Sequence, residues 1–469
     1  MKVVHLSAEC YPVAKVGGLA DVVGALPKYQ KKQIDDACVV MPFYNTKFTT
    51  NSTNESLYKS TVKVGEKKYN YEVLKLKKPE VGFDLFLIDI PGLLFTEFVY
   101  SNDDTERFLA FQIATLDWIL TWNKKPSVIH CHDHHTGLTP FMISQCTKYQ
   151  DLSAIPTILT IHNAQYQGWF SHEKVDLIPK FDFKNVGLLD WNGVINPLAA
   201  AIKCSWKVTT VSPSYMEELK QNANGLELLL QHEAKKCSGI LNGIDWEVWN
   251  PETDSYIIKN YKKSTVQSGR KANKKWICDT YNLDVNKPMF AFIGRLVGEK
   301  GSDIFPAAFK KALGTKDKTI FLLGSGHKEV ENDLTELKSE YISSYNAYIG
   351  YDEKLSHIIY AGTDFLLMPS RVEPCGLNQM YALRYGAIPI VRSIGGLKDT
   401  VVDIDSENGF GICHDTVSEE EMVTAMNRAV ELYSDQKKFR KIRRQIMNID
   451  HSWDASAQSY IRLYKSLKN

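Results

Sequence analysis

Short apolar runs alternate with segments of helical spacing along almost the whole chain. The pattern opens with Val3-Val4-His5-Leu6, read as a buried strand. A loop over 7–16 and the pair Gly17-Gly18 follow, and then Ala20, Val22, Val23, Ala25 and Leu26 recur at helical spacing. Further strands are predicted over 38–41, 83–90, 128–131, 157–161 and 208–211, with a hairpin over 61–75 around Gly65-Glu66. The Asn- and Thr-rich stretch 43–56 reads as a polar loop. Helices are predicted over 106–122 and 138–146, and Asn196-Pro197 and Ser212-Pro213 each read as an N-cap followed by proline at the first helical position.

Periodicity lapses over 242–260, which holds Gly243 and Pro251 and is read as the linker between two domains. The alternation then restarts, with strands over 289–293, 319–323, 347–349, 365–368 and 388–391. Helices are predicted over 264–282, 418–433, 436–448 and 455–467. Such alternation predicts an α/β fold, parallel sheets covered by helices on both faces. Gly17-Gly18-Leu19-Ala20-Asp21 is echoed by Gly395-Gly396-Leu397-Lys398-Asp399, each after a strand and opening a helix. Two similar halves predict two Rossmann-like domains with a ligand cleft between them.

Composition narrows the function. At 469 residues the chain exceeds what one core holds. A net charge of +1 without a long basic run argues against a nucleic-acid partner. Nine cysteines without a C-x-x-C pair point to reduced thiols and a cytoplasmic location. An early Glu9 and the lack of a long apolar run give no sign of a leader or of membrane attachment.

The polar residues that stand out fall at predicted strand ends. Lys15 precedes the glycine pair, where a helix N-terminus favours an anion. Arg295 and Lys300 follow one strand, a fork and a point charge that suit a diphosphate. Glu373 lies in Pro369-Ser370-Arg371-Val372-Glu373-Pro374-Cys375-Gly376-Leu377, ahead of a helix predicted to begin near Gly376, where a carboxylate can hold sugar or ribose hydroxyls. In the run 130–135, extended alternation places His130, His132 and His134 on one face, as a zinc site would. A strand-end loop in which Asp133 and a few imidazoles meet a polar ligand fits better, and no metal is assigned. Asp403-Ile404-Asp405 has the form of a metal clamp, but its position before Asn408-Gly409 suits a solvated turn. His162 follows its strand in the same way as the others.

Several motifs taken together resemble the bacterial glycogen synthases and plant starch synthases, glycosyltransferase family five. They are Lys15-Val16-Gly17-Gly18-Leu19-Ala20-Asp21, His132-Asp133, Ile161-His162-Asn163, Asn242-Gly243-Ile244-Asp245, Gly294-Arg295-Leu296 with Lys300-Gly301, and Glu373-Pro374-Cys375-Gly376-Leu377. The resemblance covers nearly the whole chain. It implies a GT-B fold, two Rossmann-like doubly wound domains facing across a deep cleft. The domains would be 1–243, acceptor-binding and joined by a returning helix 453–469, and 244–452, nucleotide-sugar-binding. It implies transfer of glucose from ADP-glucose, or from UDP-glucose, to the non-reducing end of an α-1,4-glucan with retention at the anomeric carbon. No cofactor is implied, and a monomer or small homo-oligomer is expected. By similarity Lys15, Arg295 and Lys300 hold the diphosphate, with the backbone at Gly17 and Gly18, while Cys375, Gly376, Leu377 and Asn378 complete the donor site. Glu373 contacts the donor sugar and His162 its hydroxyls and the transition state, and Tyr351 packs on the base. Glu9, Asp133 and Asn163 lie near donor glucose or acceptor. The choice of base is placed around Tyr351 and a Gly324-Ser325-Gly326 turn. The chain departs from the family pattern at His134, where tryptophan is common, and at Asn378, where threonine is common. Tyr381 occupies the position of a second glutamate in other retaining enzymes of this fold. The competing readings are a glucan-binding protein without catalysis and a nicotinamide-dependent oxidoreductase, which lacks a clear G-x-G-x-x-G motif.

Overall fold

The computed structural model describes residues 1–77 and 81–467, so the last two residues of the expected 453–469 helix lie outside the described residues. The chain divides into two compact units, Met1–Asn242 with Trp453–Asn469, and Gly243–Ser452. The first is built on β1 (Lys2–Leu6), β2 (Asp36–Pro42), β3 (Asn54–Val64), β4 (Lys67–Leu76), β5 (Asp84–Asp89), β6 (Val128–His132) and β7 (Thr157–Ile161). A small hairpin, β8 (Asp190–Trp191) and β9 (Val194–Ile195), stands apart, and β10 (Lys207–Thr210) and β11 (Cys237–Gly239) complete the large sheet. Its order is β11-β10-β7-β6-β1-β2-β5-β4-β3, parallel except where β3 and β4 add an antiparallel hairpin. From β1 the chain winds toward β2 and β5, and then crosses to β6 on the other side of β1. The connections diverge there, so the carboxyl ends of β1 and β6 border an open crevice, the switch point where ligands bind in such sheets.

The second unit repeats the plan with β12 (Met289–Leu296), β13 (Thr319–Gly326), β14 (Tyr345–Ile349), β15 (Phe365–Met368), β16 (Ile388–Arg392) and β17 (Ile412–His414). The order is β14-β13-β12-β15-β16-β17, all parallel, with the switch point between β12 and β15. The expected strands and helices recur with ends shifted by a few residues. The stretch expected as a loop, 43–56, instead holds the helix Lys47–Thr50, capped by Thr46, and the start of β3. β3 is an outer strand with few buried residues, so it carries little apolar alternation. The expected Gly324-Ser325-Gly326 turn is the end of β13, paired with Gly294, Arg295 and Leu296.

The expected linker has no helix or strand, yet it is an ordered part of the second unit. Trp249 stacks on His357 and Tyr381, with ring centres 3.9 and 3.8 Å away. Asp254 is buried and accepts hydrogen bonds from the Tyr385 hydroxyl and from His357 Nδ1 at 2.7 Å. Individual side chains dock it, which leaves no periodic signal. Tyr381 is thus part of an aromatic stack.

The helix Trp453–Ser466 returns to the first unit because Trp453, Ala457, Tyr460 and Tyr464 recur on one face. That face packs with Val22, Leu26 and Tyr29 of the helix Gly18–Lys31. Among the described residues no helix is long and apolar enough to cross a membrane.

Asp364, at the start of β15, ties two helices to the second sheet. It accepts from Lys274 Nζ at 2.7 Å, Arg443 Nη2 at 2.8 Å and the Met289 amide at 2.9 Å, and all three side chains are buried. Burial pushes its carboxyl group up, and the two cations more than offset this, so it is held below the usual carboxylate range. Asp364→Ala leaves two buried cations without their counter-charge. It is expected to destabilise the second unit by about 3–5 kcal/mol, read as a lower urea midpoint.

Candidate active site

In the first unit the β1 connection, Ser7 to Gly17, is organised by Glu9. Its buried carboxylate accepts the Val16 amide at 2.6 Å and the Gly17 amide at 3.0 Å, and the Tyr100 hydroxyl donates to its other oxygen. Glu9, expected beside glucose or acceptor, thus holds the glycine loop. The Gly17 N–H is already engaged, which leaves the amides of Gly18 and the next residues, at the open first turn of the helix, to meet an anion. A Cβ added at Gly17 or Gly18 would meet nothing within 4 Å, so the fold itself does not require glycine there. What small residues permit at this exposed turn is close approach from outside. Lys15 is half exposed and pairs with Asp21 at 2.7 Å, a surface contact easily exchanged for a stronger anion.

β6 ends at His132, and Asp133 turns the chain at a φ of 57°, a left-handed conformation uncommon for a residue with a side chain. The turn carries His134 off the strand, so His130, His132 and His134 do not share one face. His134 instead lies ring against ring with His135, centres 3.7 Å apart. The strand histidines pack with His5 of β1, whose Cα is the register partner of His130. Ligating nitrogens of His5, His130 and His132 lie within 4.8 Å of one another. Both ring nitrogens of each are nevertheless taken up by hydrogen bonds, which leaves no lone pair for a cation.

Asp133 Oδ1 accepts the His162 amide at 2.7 Å, joining the ends of β6 and β7. His162 is almost wholly buried, and its Nε2 meets His132 Nδ1 at 2.9 Å. Its Nδ1 has no partner among the described residues. Asn163 closes the turn by accepting the Gln165 amide at 2.9 Å.

In the second unit the β12 and β15 connections lie side by side. Arg371 forms a fork on Asp303 and donates to the Gly298 carbonyl at 2.7 Å. Gly301 allows the approach, since a Cβ there would come within 2.3 Å of the Pro369 carbonyl oxygen. This clamp sets Lys300 Nζ 2.6 Å from Glu373 Oε2, which also accepts from Ser370 Oγ at 2.9 Å. Glu373 is buried, and its Oε1 has no partner among the described residues. Arg295 is mostly exposed and only loosely paired with Glu299 at 3.5 Å. Asn378 opens the helix Asn378–Tyr385 and donates to the Ile293 carbonyl at 2.7 Å, tying that helix to β12. Cys375 is buried ahead of it, Gly376 turns at a φ of 74°, and Leu377 is the N-cap. Tyr351, beyond β14, is 83% exposed.

The glycine echo differs in what it does. A Cβ at Gly395 or Gly396 would lie 2.1 Å from the Glu373 or Cys375 carbonyl oxygen, so these glycines seat the Glu373 loop and leave no room for a ligand. Asp403 and Asp405 both pair with Arg428, a structural cluster and not a metal clamp. Sequence reasoning did not single out Ser370, Tyr100, His5 or Gln30. Ser370 lies in the Pro369–Leu377 motif and His5 in the first apolar run, but their roles, like those of Tyr100 and Gln30, become visible only through strand register or tertiary contact.

Each sheet therefore presents polar groups at its switch point, cations with a carboxylate in one and an imidazole with a glycine turn in the other. Residues 2–232 match the family model described as starch synthase catalytic domain, and residues 277–446 match glycosyl transferases group 1. A glycogen synthase of Flavobacterium johnsoniae is 51% identical over 467 residues, covering 99% of this chain and 98% of that one. This chain belongs to the glycogen and starch synthase family. A glycogen synthase of Streptococcus agalactiae is 37% identical over the whole of both chains. Among solved structures, the catalytic domain of starch synthase IV from Arabidopsis thaliana, bound to ADP and acarbose, is 31% identical with a TM-score of 0.88. It covers 100% of this chain and 99% of that one. A sucrose-phosphate synthase from Thermosynechococcus elongatus, 16% identical with a TM-score of 0.63, shares the fold. The architecture is the GT-B fold of this family, with two Rossmann-like units.

Burial pushes the Asp133 carboxyl up to about 7, against the His162 and Asn163 amides that favour its charge, and nearby Glu9 pushes it further up. The folded chain keeps a proton there that the unfolded chain releases near 3.8. This stabilisation is present at low pH and is lost as pH rises from about 4 to about 7. Asp133→Asn keeps the acceptor for the His162 amide without the titration. Its melting temperature relative to the unmodified chain is expected to climb across that window and level off above it, a change of ~4 kcal/mol in stability.

Proposed function

We propose that this chain is a retaining glucosyltransferase that moves glucose from ADP-glucose to the non-reducing end of an α-1,4-glucan. The observation that carries the reading is the Lys300–Glu373 pair at the β12/β15 switch point, with Glu373 Oε1 left open as an acceptor. The near full-length similarity to glycogen synthases and the ADP held by the Arabidopsis starch synthase support it.

Departure of a nucleoside diphosphate leaves negative charge on its oxygens. Lys300, Arg295 and Lys15, with the amides at the start of the helices Gly18–Lys31 and Asn378–Tyr385, stabilise that charge as it develops, with groups already oriented for it. Glu373 Oε1 and His162 Nδ1 accept donor sugar hydroxyls, and Ser370 and Lys300 fix the carboxylate in one orientation. The sugar carries positive charge as the bond to the diphosphate breaks, and a carboxylate nearby favours it. Tyr351 offers an exposed ring to the nucleotide base. Asp133 and Asn163 shape the turn that carries His162.

Glu373→Ala and Lys300→Ala are each expected to lower glucose incorporation into glycogen by about 10³-fold, with circular dichroism unchanged. Near-normal turnover in both variants rejects the assignment. A donor competition with glycogen as primer is expected to favour ADP-glucose over UDP-glucose. Glucan binding with no release of nucleoside diphosphate from either donor would point instead to a binding protein.

A further inference from the structure

Nine polar groups form one continuous hydrogen-bonded line through the first unit, from the strand carbonyl of Leu159 to His162. A backbone carbonyl can only accept, so Thr209 Oγ1 donates to Leu159 at 3.3 Å. Thr160 Oγ1, 2.7 Å away, then donates to Thr209. His130 Nε2, 2.6 Å from Thr160 Oγ1, is left as the donor to it. A neutral imidazole with a donor Nε2 has an acceptor Nδ1, which takes the Tyr464 hydroxyl proton at 2.7 Å. The Tyr464 oxygen accepts the Gln30 amide NH₂ at 3.0 Å, and this orients Gln30 with Oε1 toward His5 Nε2, 2.7 Å away.

The same alternation runs through the remaining rings. His5 Nε2 donates, so His5 Nδ1 accepts from His132 Nε2 at 3.0 Å. His132 Nδ1 then accepts from His162 Nε2 at 2.9 Å. His5, His130 and His132 each donate once and accept once, which requires each to be neutral, while His162 ends the line as a donor through Nε2. Burial supplies that condition, lowering His5 to about 4 and His162 to about 3 and holding His130 and His132 well below the usual value.

We propose that this buried relay holds His162 as its Nε2–H tautomer and so presents Nδ1 as a bare acceptor for a hydroxyl of the donor sugar, making Gln30, His5 and Tyr464 positioning residues for transfer. The functional half rests on the placement of His162 at the sugar given under Proposed function. The tautomer assignment rests on the hydrogen bonds, which place the proton on Nε2, and on the burial that keeps the ring neutral. Reversal of the line would turn Nδ1 into a donor and remove the acceptor. Tyr464 gives the helix Trp453–Ser466 a part in this orientation, although Gln30 and two imidazoles separate its hydroxyl from His162.

The test is two-bond ¹H–¹⁵N correlation on the full chain labelled at histidine nitrogen, with His162 assigned from the missing signals of His162→Asn. The unmodified chain is expected to show an unprotonated Nδ1 and a protonated Nε2 at His162. Gln30→Met removes the acceptor facing His5, and Tyr464→Phe removes the group that orients Gln30 while keeping its ring in the core. Both are expected to populate the Nδ1–H tautomer of His162 and to lower kcat about tenfold, with little change in donor KM. Residues that only stabilise the fold would shift the melting temperature and leave the His162 nitrogen signals in place. A proton on Nδ1 in the unmodified chain, or His162 signals unchanged in both variants, overturns the relay. Full glucose transfer by His162→Ala overturns its role at the sugar, and with it the functional half, without touching the tautomer result.

Discussion

The winding of two parallel sheets is the constraint on which the rest depends. A parallel strand must be reached by a crossover, and where successive crossovers leave in opposite directions the adjacent strand ends stay uncovered. β1 with β6, and β12 with β15, are the two places where that happens in this chain. Loops that begin there are held by the sheet at one end, which lets them carry charged and strained groups at fixed positions. The Asp133 turn and the Lys300–Glu373 contact both occupy such places.

Polar contacts hold those loops in place, and in the first unit they act together with Cys10, Val13 and Ala14, which pack into the apolar core. Glu9 gathers the glycine loop through two amides and a tyrosine hydroxyl, and Arg371 joins the two second-unit loops through Asp303 and a carbonyl. The apolar cores lie behind them and set the strand spacing. The residues with open acceptor atoms, His162 and Glu373, are buried and held from behind by hydrogen bonds that leave one face free. A side chain fixed in this way needs little reorganisation when a ligand arrives, which is the condition for electrostatic stabilisation of a developing charge.

Most of the architecture was legible in the sequence because buried parallel strands are written as short apolar runs, and 157–161 and 365–368 were found with their observed bounds. β3 was misplaced at its start because an outer strand carries few buried residues, and β11 and β17 are too short to leave a pattern. The segment 242–260 looked like a linker because its contacts are made one side chain at a time. In the site, charge type and strand-end position were enough to single out Lys300 and Glu373. They did not show that Glu9 would turn inward to its own loop, or that the histidine run would divide between a buried ladder and a turn. Those outcomes depend on register, since His5 meets His130 only because β1 and β6 pair with those residues opposed.

The helix Trp453–Ser466 completes the core of the first unit, yet every residue of the second unit precedes it in the chain. During synthesis, the amino-terminal sheet therefore emerges with a row of ring positions beside Tyr29 still uncovered, and it waits through translation of the entire second lobe for its covering segment. Order of manufacture and order of assembly are thus decoupled here, and a segment made only after the whole second lobe is among the parts that the first sheet requires to be whole.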